Sequence, residues 1–443
     1  MAIETPTAKP SAASTATNVP KQPVAKSKAV VAAVSASALE GYDLTIYGLF
    51  AVTISQVFFP AENQAAALLL TVATLGFGYL VRPLGGIVMG AYSDKHGRKA
   101  AIFLTVTLMA VSTGVIGLVP SYAQIGIWAP ILVMAARLVQ GFAAGGAAGS
   151  SIAYLAESAP PGKRGFYASW QQASQIGAFL FSSAVAALIT NSLSQADVES
   201  WGWRIPFLLA IAFGPLSLLI RRYLPEPEIF EKQKAPAGQK PRLAQAVAGH
   251  TREIGVGFGV TCLWSVTFFL LLIFMPTYAN KTFGIPLSGT FLAATIGSAI
   301  VFVLCPLMGS LSDRVGRSRT MLVSAALLLA LIYPLFHYVS VERTVMSLIV
   351  VQSVFAVFIA GYTGPVCAFM AELFPTRIRS TGLSISYNIG VLVVGAFAPL
   401  VTTWLIATTN DPLSPAYYVM GVAVISIVAL LMSKDSTGKA LAS

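Results

Sequence analysis

The stretch Gly90-Ala91-Tyr92-Ser93-Asp94-Lys95-His96-Gly97-Arg98-Lys99 returns about half a chain later as Gly309-Ser310-Leu311-Ser312-Asp313-Arg314-Val315-Gly316-Arg317. In both copies an apolar run arrives first, an Asp follows the first Gly by four positions, and Gly-Arg follows that Asp by three. A repeat of this spacing marks a duplicated chain, so whatever the first half folds into, the second half folds into as well. A second pair agrees: Ala156-Glu157 with Arg164 is matched by Ala371-Glu372 with Arg379 at nearly the same offset. Set between long apolar segments, the Gly-Asp-Gly-Arg stretches read as tight turns on the cytoplasmic side, where glycines let helices approach, Asp can cap a helix start and the arginines stay in water.

The medium of these turns follows from composition. Only 10% of the 443 residues are charged and 56% are hydrophobic, with a mean hydropathy of +0.75, which identifies a polytopic helical membrane protein. The net charge of +11 is scattered over short turns rather than gathered in a patch, so it reports topology and not nucleic acid. Cys262, Cys305 and Cys367 each lie in an apolar run with no paired spacing; they read as packing residues. His96, His250 and His337 are scattered, no nucleophile or metal spacing is visible, and no phosphate-binding loop appears, so neither an enzyme nor an ATP-driven pump is indicated.

Residues 1–28 are expected to form a disordered cytoplasmic tail. Twelve spans follow, at 29–58, 64–92, 100–119, 125–157, 163–192, 204–222, 251–280, 287–311, 319–340, 345–373, 377–408 and 415–433. All but five of the 28 Lys and Arg residues fall on the side of the termini; Arg204, Lys281 and Arg343 lie opposite, and Arg82 and Arg137 lie within spans. The positive-inside rule therefore puts both termini in the cytoplasm. The Pro- and Lys-bearing stretch 223–250 reads as a linker joining a six-helix bundle at 29–222 to a second at 251–433, with 434–443 as a closing tail. The fold class is thus all-α, with twelve transmembrane helices in two halves of six.

These features resemble the major facilitator superfamily from about residue 30 to about 433, and the resemblance implies two six-helix bundles around a central cavity. More narrowly, Tyr42-Asp43 with Tyr47-Gly48 and Phe58-Phe59-Pro60, Arg82-Pro83-Leu84-Gly85-Gly86, Gln140-Gly141-Phe142, Trp201-Gly202-Trp203-Arg204-Ile205-Pro206-Phe207 and Glu372-Leu373-Phe374-Pro375-Thr376-Arg377 resemble the metabolite:proton symporter family. That family includes importers of proline/betaine, 2-oxoglutarate, shikimate and citrate. The run Gly165-Phe166-Tyr167-Ala168-Ser169-Trp170-Gln171-Gln172-Ala173-Ser174-Gln175 is similar to its citrate and tricarballylate branch. Where many members carry Gly-Gly-Glu, this chain has Gly145-Gly146-Ala147, so a role for that carboxylate does not carry over. The resemblance implies proton-coupled import of a small organic carboxylate by alternating access, by a monomer with the proton as coupling ion and no other cofactor. A zwitterionic osmolyte or amino acid, or a shikimate-like acid, is the alternative cargo, and a non-transporting sensor the remote one.

An ionisable side chain deep in a span is costly unless paired or facing water. At ~1.5 Å per residue from the start of the first span, Glu40 lies ~16 Å and Asp43 ~21 Å deep, near mid-membrane. Glu40, Asp43 and Tyr47 share one helix face, and a desolvated carboxylate or one beside another carboxylate holds a proton more readily, so these two acids are the candidates for proton coupling. Arg137, also mid-span, offers a fork of donors to a carboxylate of the substrate or of the first helix, with Gln140 beside it. Arg82, near the cytoplasmic end of the second span, reads as a snorkelling or gate-bracing residue. Trp170, Gln171 and Gln175 in the first half, and Trp264, Tyr362, Tyr387 and Asn388 in the second, are candidates for substrate contact or for interhelical packing. Gly90, Asp94, Gly97, Arg98, Glu157 and Arg164, with Gly309, Asp313, Gly316, Arg317, Glu372 and Arg379, are assigned to the inside gate, where Glu157 and Glu372 are expected to pair with Arg98 or Arg317.

Overall fold

The computed structural model describes residues 26–59, 64–212, 215, 224–232, 248–439 and 441. Among the described residues there is no strand. A chain whose apolar side chains face lipid must satisfy its backbone polar groups within each segment, and helices do so. Nine of the described helices are long and apolar enough to cross a bilayer: Arg98–Leu118, Trp128–Ser158, Arg164–Ser192, Thr251–Phe283, Leu287–Val315, Arg317–Glu342, Val345–Leu373, Arg379–Thr409 and Ser414–Met432. The first span is Lys26–Leu49 continued by Ala51–Phe58, the second is Gln64–His96, and the sixth is described over Arg204–Leu209 and Ala210–Ala212. The rest of the sixth span, most of the tail and most of the linker lie outside the described residues. Exposed Leu188, Val303, Leu400 and Leu431 lie on the outside, where a bilayer replaces water; the chain is an integral membrane protein.

The twelve spans form two bundles; one apolar core lies within the first, and a larger one fills the second and continues across the interface to Ala148, Ile152 and Ile176. In the first bundle Trp203 meets Phe58 edge-on at 5.5 Å, and Tyr42 donates to the carbonyl of Pro206 at 2.7 Å. Arg204 donates to the carbonyls of Gly117 and Val119, each at 2.8 Å, so the Trp-Gly-Trp-Arg motif braces the end of the bundle remote from the chain termini. The second and fourth spans touch backbone to backbone: a Cβ on Gly141 would stand 2.1 Å from the carbonyl oxygen of Gly78, and one on Gly145 2.2 Å from that of Arg82. That close approach carries Arg82, Arg137 and Gln140 towards the first span.

The bundles meet closely at the face on which Lys26 and Lys439 lie, here the terminal face. Gly165 and Gly309 cross there, and a Cβ on Gly165 would lie 2.2 Å from the Gly309 carbonyl oxygen. Such overlap forces the spans apart, so Gly165→Ala is expected to leave a folded protein, judged by its elution profile and thermal unfolding, in which buried Cys305, bonded to the Ser169 carbonyl across this crossing, is alkylated more than tenfold faster. Unchanged Cys305 reactivity in that variant would show that the spans absorb the methyl group without parting.

In the second bundle the seventh and eleventh spans are each interrupted by wide π-helical turns, at Thr267–Phe274 and Val391–Ala396. Such turns are frequent at functional sites, and Trp264 and Tyr387 lie just before them.

Candidate functional site

Two buried ion pairs line one cavity in the first bundle. Asp43 accepts from Arg137 Nη1 at 2.6 Å through Oδ2, and from Gln140 Nε2 at 2.8 Å and Thr113 Oγ1 at 3.0 Å through Oδ1. Glu40, one turn back on the same helix, accepts from Arg82 Nη1 at 2.6 Å. Each guanidinium lies over an aromatic face: Arg137 Cζ is 3.6 Å from the Tyr47 ring centroid and Arg82 Cζ 4.2 Å from that of Tyr79. Tyr47 is held in turn by a hydrogen bond with Thr74 Oγ1 at 2.5 Å. The cavity between the pairs measures about 30 Å³, room for a water or two and for no organic solute. Around it several buried polar atoms have no partner: Arg137 Nε and Nη2, Glu40 Oε2, Gln140 Oε1 and Tyr79 Oη.

The expectation for Arg82 is overturned. It neither snorkels nor reaches the gate but is buried against Glu40, because close packing of the second and fourth spans turns it inward. Of the two first-span acids it is Asp43 that meets Arg137, while Glu40 has Arg82 as its own arginine. Thr113 and Tyr79 escaped sequence reasoning, since a mid-span Thr or Tyr carries no signal of its own.

The weaker candidates divide. Gln171 donates to Ser37 Oγ at 3.1 Å and accepts from Cys367 Sγ at 3.3 Å, joining the first bundle to the second. Gln175 is buried against Gly41 with Oε1 unpartnered. Trp264 lies 4.9 Å from Tyr387 and 5.9 Å from Phe268, and with Gln172, not among the contact candidates, it lines a second small pocket. Tyr362 donates to the Val260 carbonyl at 2.9 Å inside the second bundle. Asn388 donates across the interface to the Gly145 carbonyl at 2.7 Å. Half-buried Trp170 packs edge-on to Phe166, away from the cavity.

The terminal face carries the duplicated network. Arg98 forks onto Glu157, with Nη2 to Oε1 at 2.9 Å and Nε to Oε2 at 3.1 Å; Arg317 forks onto Glu372 with both contacts at 2.8 Å. The partners then cross. Arg379 of the second bundle donates to Glu157 at 2.6 Å, and Arg164 of the first reaches Glu372 at 3.4 Å. Asp94 accepts from the backbone N–H of Ser380 and Thr381 at 3.1 and 2.9 Å, and Asp313 from those of Gly165 and Phe166 at 2.8 and 3.1 Å. Each aspartate thus caps the opening turn of a span in the other bundle, where unsatisfied N–H groups favour an anion. The Gly90 contact is equally close, since a Cβ there would lie 2.8 Å from Thr381 Cα.

Gly97 and Gly316 start the third and ninth spans at φ of 110° and 111°, a backbone conformation that side-chain-bearing residues rarely adopt. At both starts the chain segment following each bundle docks. Glu226 accepts from the backbone N–H groups of Arg98 and Lys99, and Thr437 Oγ1 accepts from that of Arg317 at 3.0 Å. Burial pushes the Glu226 carboxyl above its ordinary range, partly offset by those two backbone donors. Arg164 also donates to the Lys439 carbonyl at 2.6 Å, so the residues after the last span are seated in the network.

The Major Facilitator Superfamily model matches residues 33–348 and 292–442. A citrate-proton symporter of Klebsiella pneumoniae is 33% identical over 90% of each chain. A proline/betaine transporter of Salmonella typhimurium is 33% identical over 94% of this chain and 84% of its own. Among solved structures, the proton:xylose symporter XylE bound to 6-bromo-6-deoxy-D-glucose superposes with a TM-score of 0.75 at 19% identity, covering 94% of this chain and 97% of its own. The transporter FucP in its outward conformation gives 0.67 at 13% identity, covering 91% and 98%. Twelve spans in two bundles, a crossed network built from a duplicated turn, and relatives matched over nearly their whole length lead to one assignment: the chain belongs to the Major Facilitator Superfamily, a transporter and not an enzyme.

Proposed function

We propose that the chain is a proton-coupled symporter that imports a small organic carboxylate by alternating access. The observation that carries this reading is the Asp43–Arg137 pair, in which a buried carboxylate holds one donor of an arginine whose Nε and Nη2 remain without partners at the cavity. A substrate carboxylate can take those donors and then displace Asp43. Having lost its counter-charge in a low-dielectric site, Asp43 takes up a proton, so substrate and proton bind cooperatively. The citrate-proton symporters among the relatives support this cargo. The proline/betaine transporters favour a second reading, a zwitterion held between an acid and a base.

In this reading the terminal face is cytoplasmic, and residues 29–222 and 251–433 are rigid bundles joined by the linker 223–250. The chain works as a monomer in the bacterial inner membrane, with the proton as its coupling ion. The Asp94, Arg98, Glu157 and Arg379 cluster and its Asp313, Arg317, Glu372 and Arg164 counterpart hold the inside gate shut. Gln171, Asn388, Trp264 and Tyr387 form the far wall that the substrate meets. The test is uptake of labelled citrate, succinate and glycine betaine into proteoliposomes with and without an imposed pH gradient. Accumulation of an acid that collapses with the gradient is expected; accumulation of betaine alone would select the second reading.

A further inference from the structure

We propose that Arg82 is a second carboxylate clamp, which with Arg137 selects substrates carrying two carboxylates, and that Glu40 and Asp43 are the two counter-charges they release. The proposal rests on the carboxylate-import reading above and deepens it. Four features of the site carry it.

First, both pairs line the same cavity, so neither arginine is walled off from a bound solute. Second, both pairs are made through a single Nη1 contact, although a guanidinium has five donors and a carboxylate prefers a fork. A permanent structural bridge leaves few buried polar atoms unmatched; here the unmatched atoms Glu40 Oε2, Tyr79 Oη, Gln140 Oε1 and Arg137 Nε and Nη2 surround one space. Third, each guanidinium is held in place by a ring, Tyr79 or Tyr47, so an arginine can change its anion without losing its position. Fourth, Glu40 and Asp43 are three residues apart on one helix, an axial rise of about 4.5 Å. The carboxylates those arginines hold are therefore offset along the helix by about one turn, the order of length that two carboxylates joined by two or three carbons span.

Charge balance sets the stoichiometry. The site without solute holds two arginines and two acids, and is neutral. A dianion clamped by both arginines leaves two carboxylates without counter-charges in a buried site, which is costly unless each takes a proton. Two protons entering with the dianion restore neutrality, and both ion pairs re-form when the site empties. A monocarboxylate engages Arg137 alone and carries one proton.

The experiment measures binding of succinate and butyrate to the purified full-length protein, with a pH-indicator dye counting protons taken up. Wild type is expected to prefer succinate at least tenfold and to take up about two protons per succinate and one per butyrate. Arg82→Gln is expected to bring succinate down to the butyrate affinity and to one proton. The Glu40→Gln/Arg82→Gln double variant, which removes the pair without stranding a charge, is expected to give the same result and guards against misfolding of the single variant. Equal wild-type affinity for the two acids, or an unchanged succinate preference in the double variant, overturns the role of Arg82 alone. Failure of wild type to bind either acid overturns the carboxylate reading with it.

Discussion

Glu157→Gln is expected to drive the transporter out of the closed arrangement of its terminal face. Glu157 is buried and accepts from both Arg98 and Arg379, arginines of opposite bundles whose side chains are fully screened from solvent. Removing the charge leaves two buried guanidinium groups short of a counter-ion, and breaking such a pair from one side costs about 3–5 kcal/mol. Arg98 keeps Asp94 and the Thr376 carbonyl, and Arg379 keeps Thr376 Oγ1 and the Ala371 carbonyl, which places the effect at the lower end. About 3 kcal/mol is more than a hundredfold in the equilibrium. Native cysteines report it: Cys367 and Cys305 are fully buried and bond across the interface to Gln171 and Ser169. Opening the face lets water reach them, so alkylation of Cys367 by a polar maleimide should accelerate about a hundredfold, with Cys262, inside the second bundle, as internal control. Unchanged Cys367 reactivity would show that this cluster does not hold the face closed.

Asp43→Asn is expected to abolish accumulation driven by a pH gradient, a loss of at least a hundredfold, while exchange of internal for external substrate persists. Exchange needs no net proton movement; accumulation needs a group that loads and releases one. The amide cannot titrate, yet its carbonyl oxygen still accepts from Gln140, Thr113 or Arg137, so the local packing is kept. Glu40→Gln should lower accumulation without abolishing it, because Asp43, the counter-charge of the arginine that every substrate carboxylate engages, still titrates. Proteoliposome uptake and counterflow on the same preparations separate these outcomes. If both variants still concentrate substrate in response to a pH difference, the first-helix acids do not couple transport to protons.

Much of this architecture can be read from the chain. The duplicated Gly-Asp-Gly-Arg turn implies two like halves, and counting depth along a helix brings Asp43 and Arg137 to the same level, where they meet. Depth is one coordinate only. Which way a side chain points around the helix depends on which neighbours pack there, and that is set by backbone contacts such as Gly141 against Gly78. Arg82 was misread for this reason, and Trp170 and Tyr362 sit at suitable depths yet face Phe166 and Val260. The crossing of Glu157 to Arg379 and of Glu372 to Arg164 was equally hidden. The repeat shows each acid beside the arginine of its own half, whereas the interface exchanges them. Glu226 and Thr437 were invisible because they lie in short polar stretches with no periodicity to give them a partner.

That exchange has a consequence for how such a chain can arise. Every contact on the terminal face from an acid of the first half to a backbone or arginine of the second is repeated in reverse, which is the signature of an isologous, two-fold interface. Two copies of a single half could make the same bonds with each other, closing on themselves with no surface left over to propagate. The linker then adds proximity rather than recognition. Joined in one chain, the halves are released from being identical: one buries the Glu40–Arg82 and Asp43–Arg137 pairs at mid-span, the other packs Trp264 on Tyr387, while the acid contacts across the seam stay matched two by two.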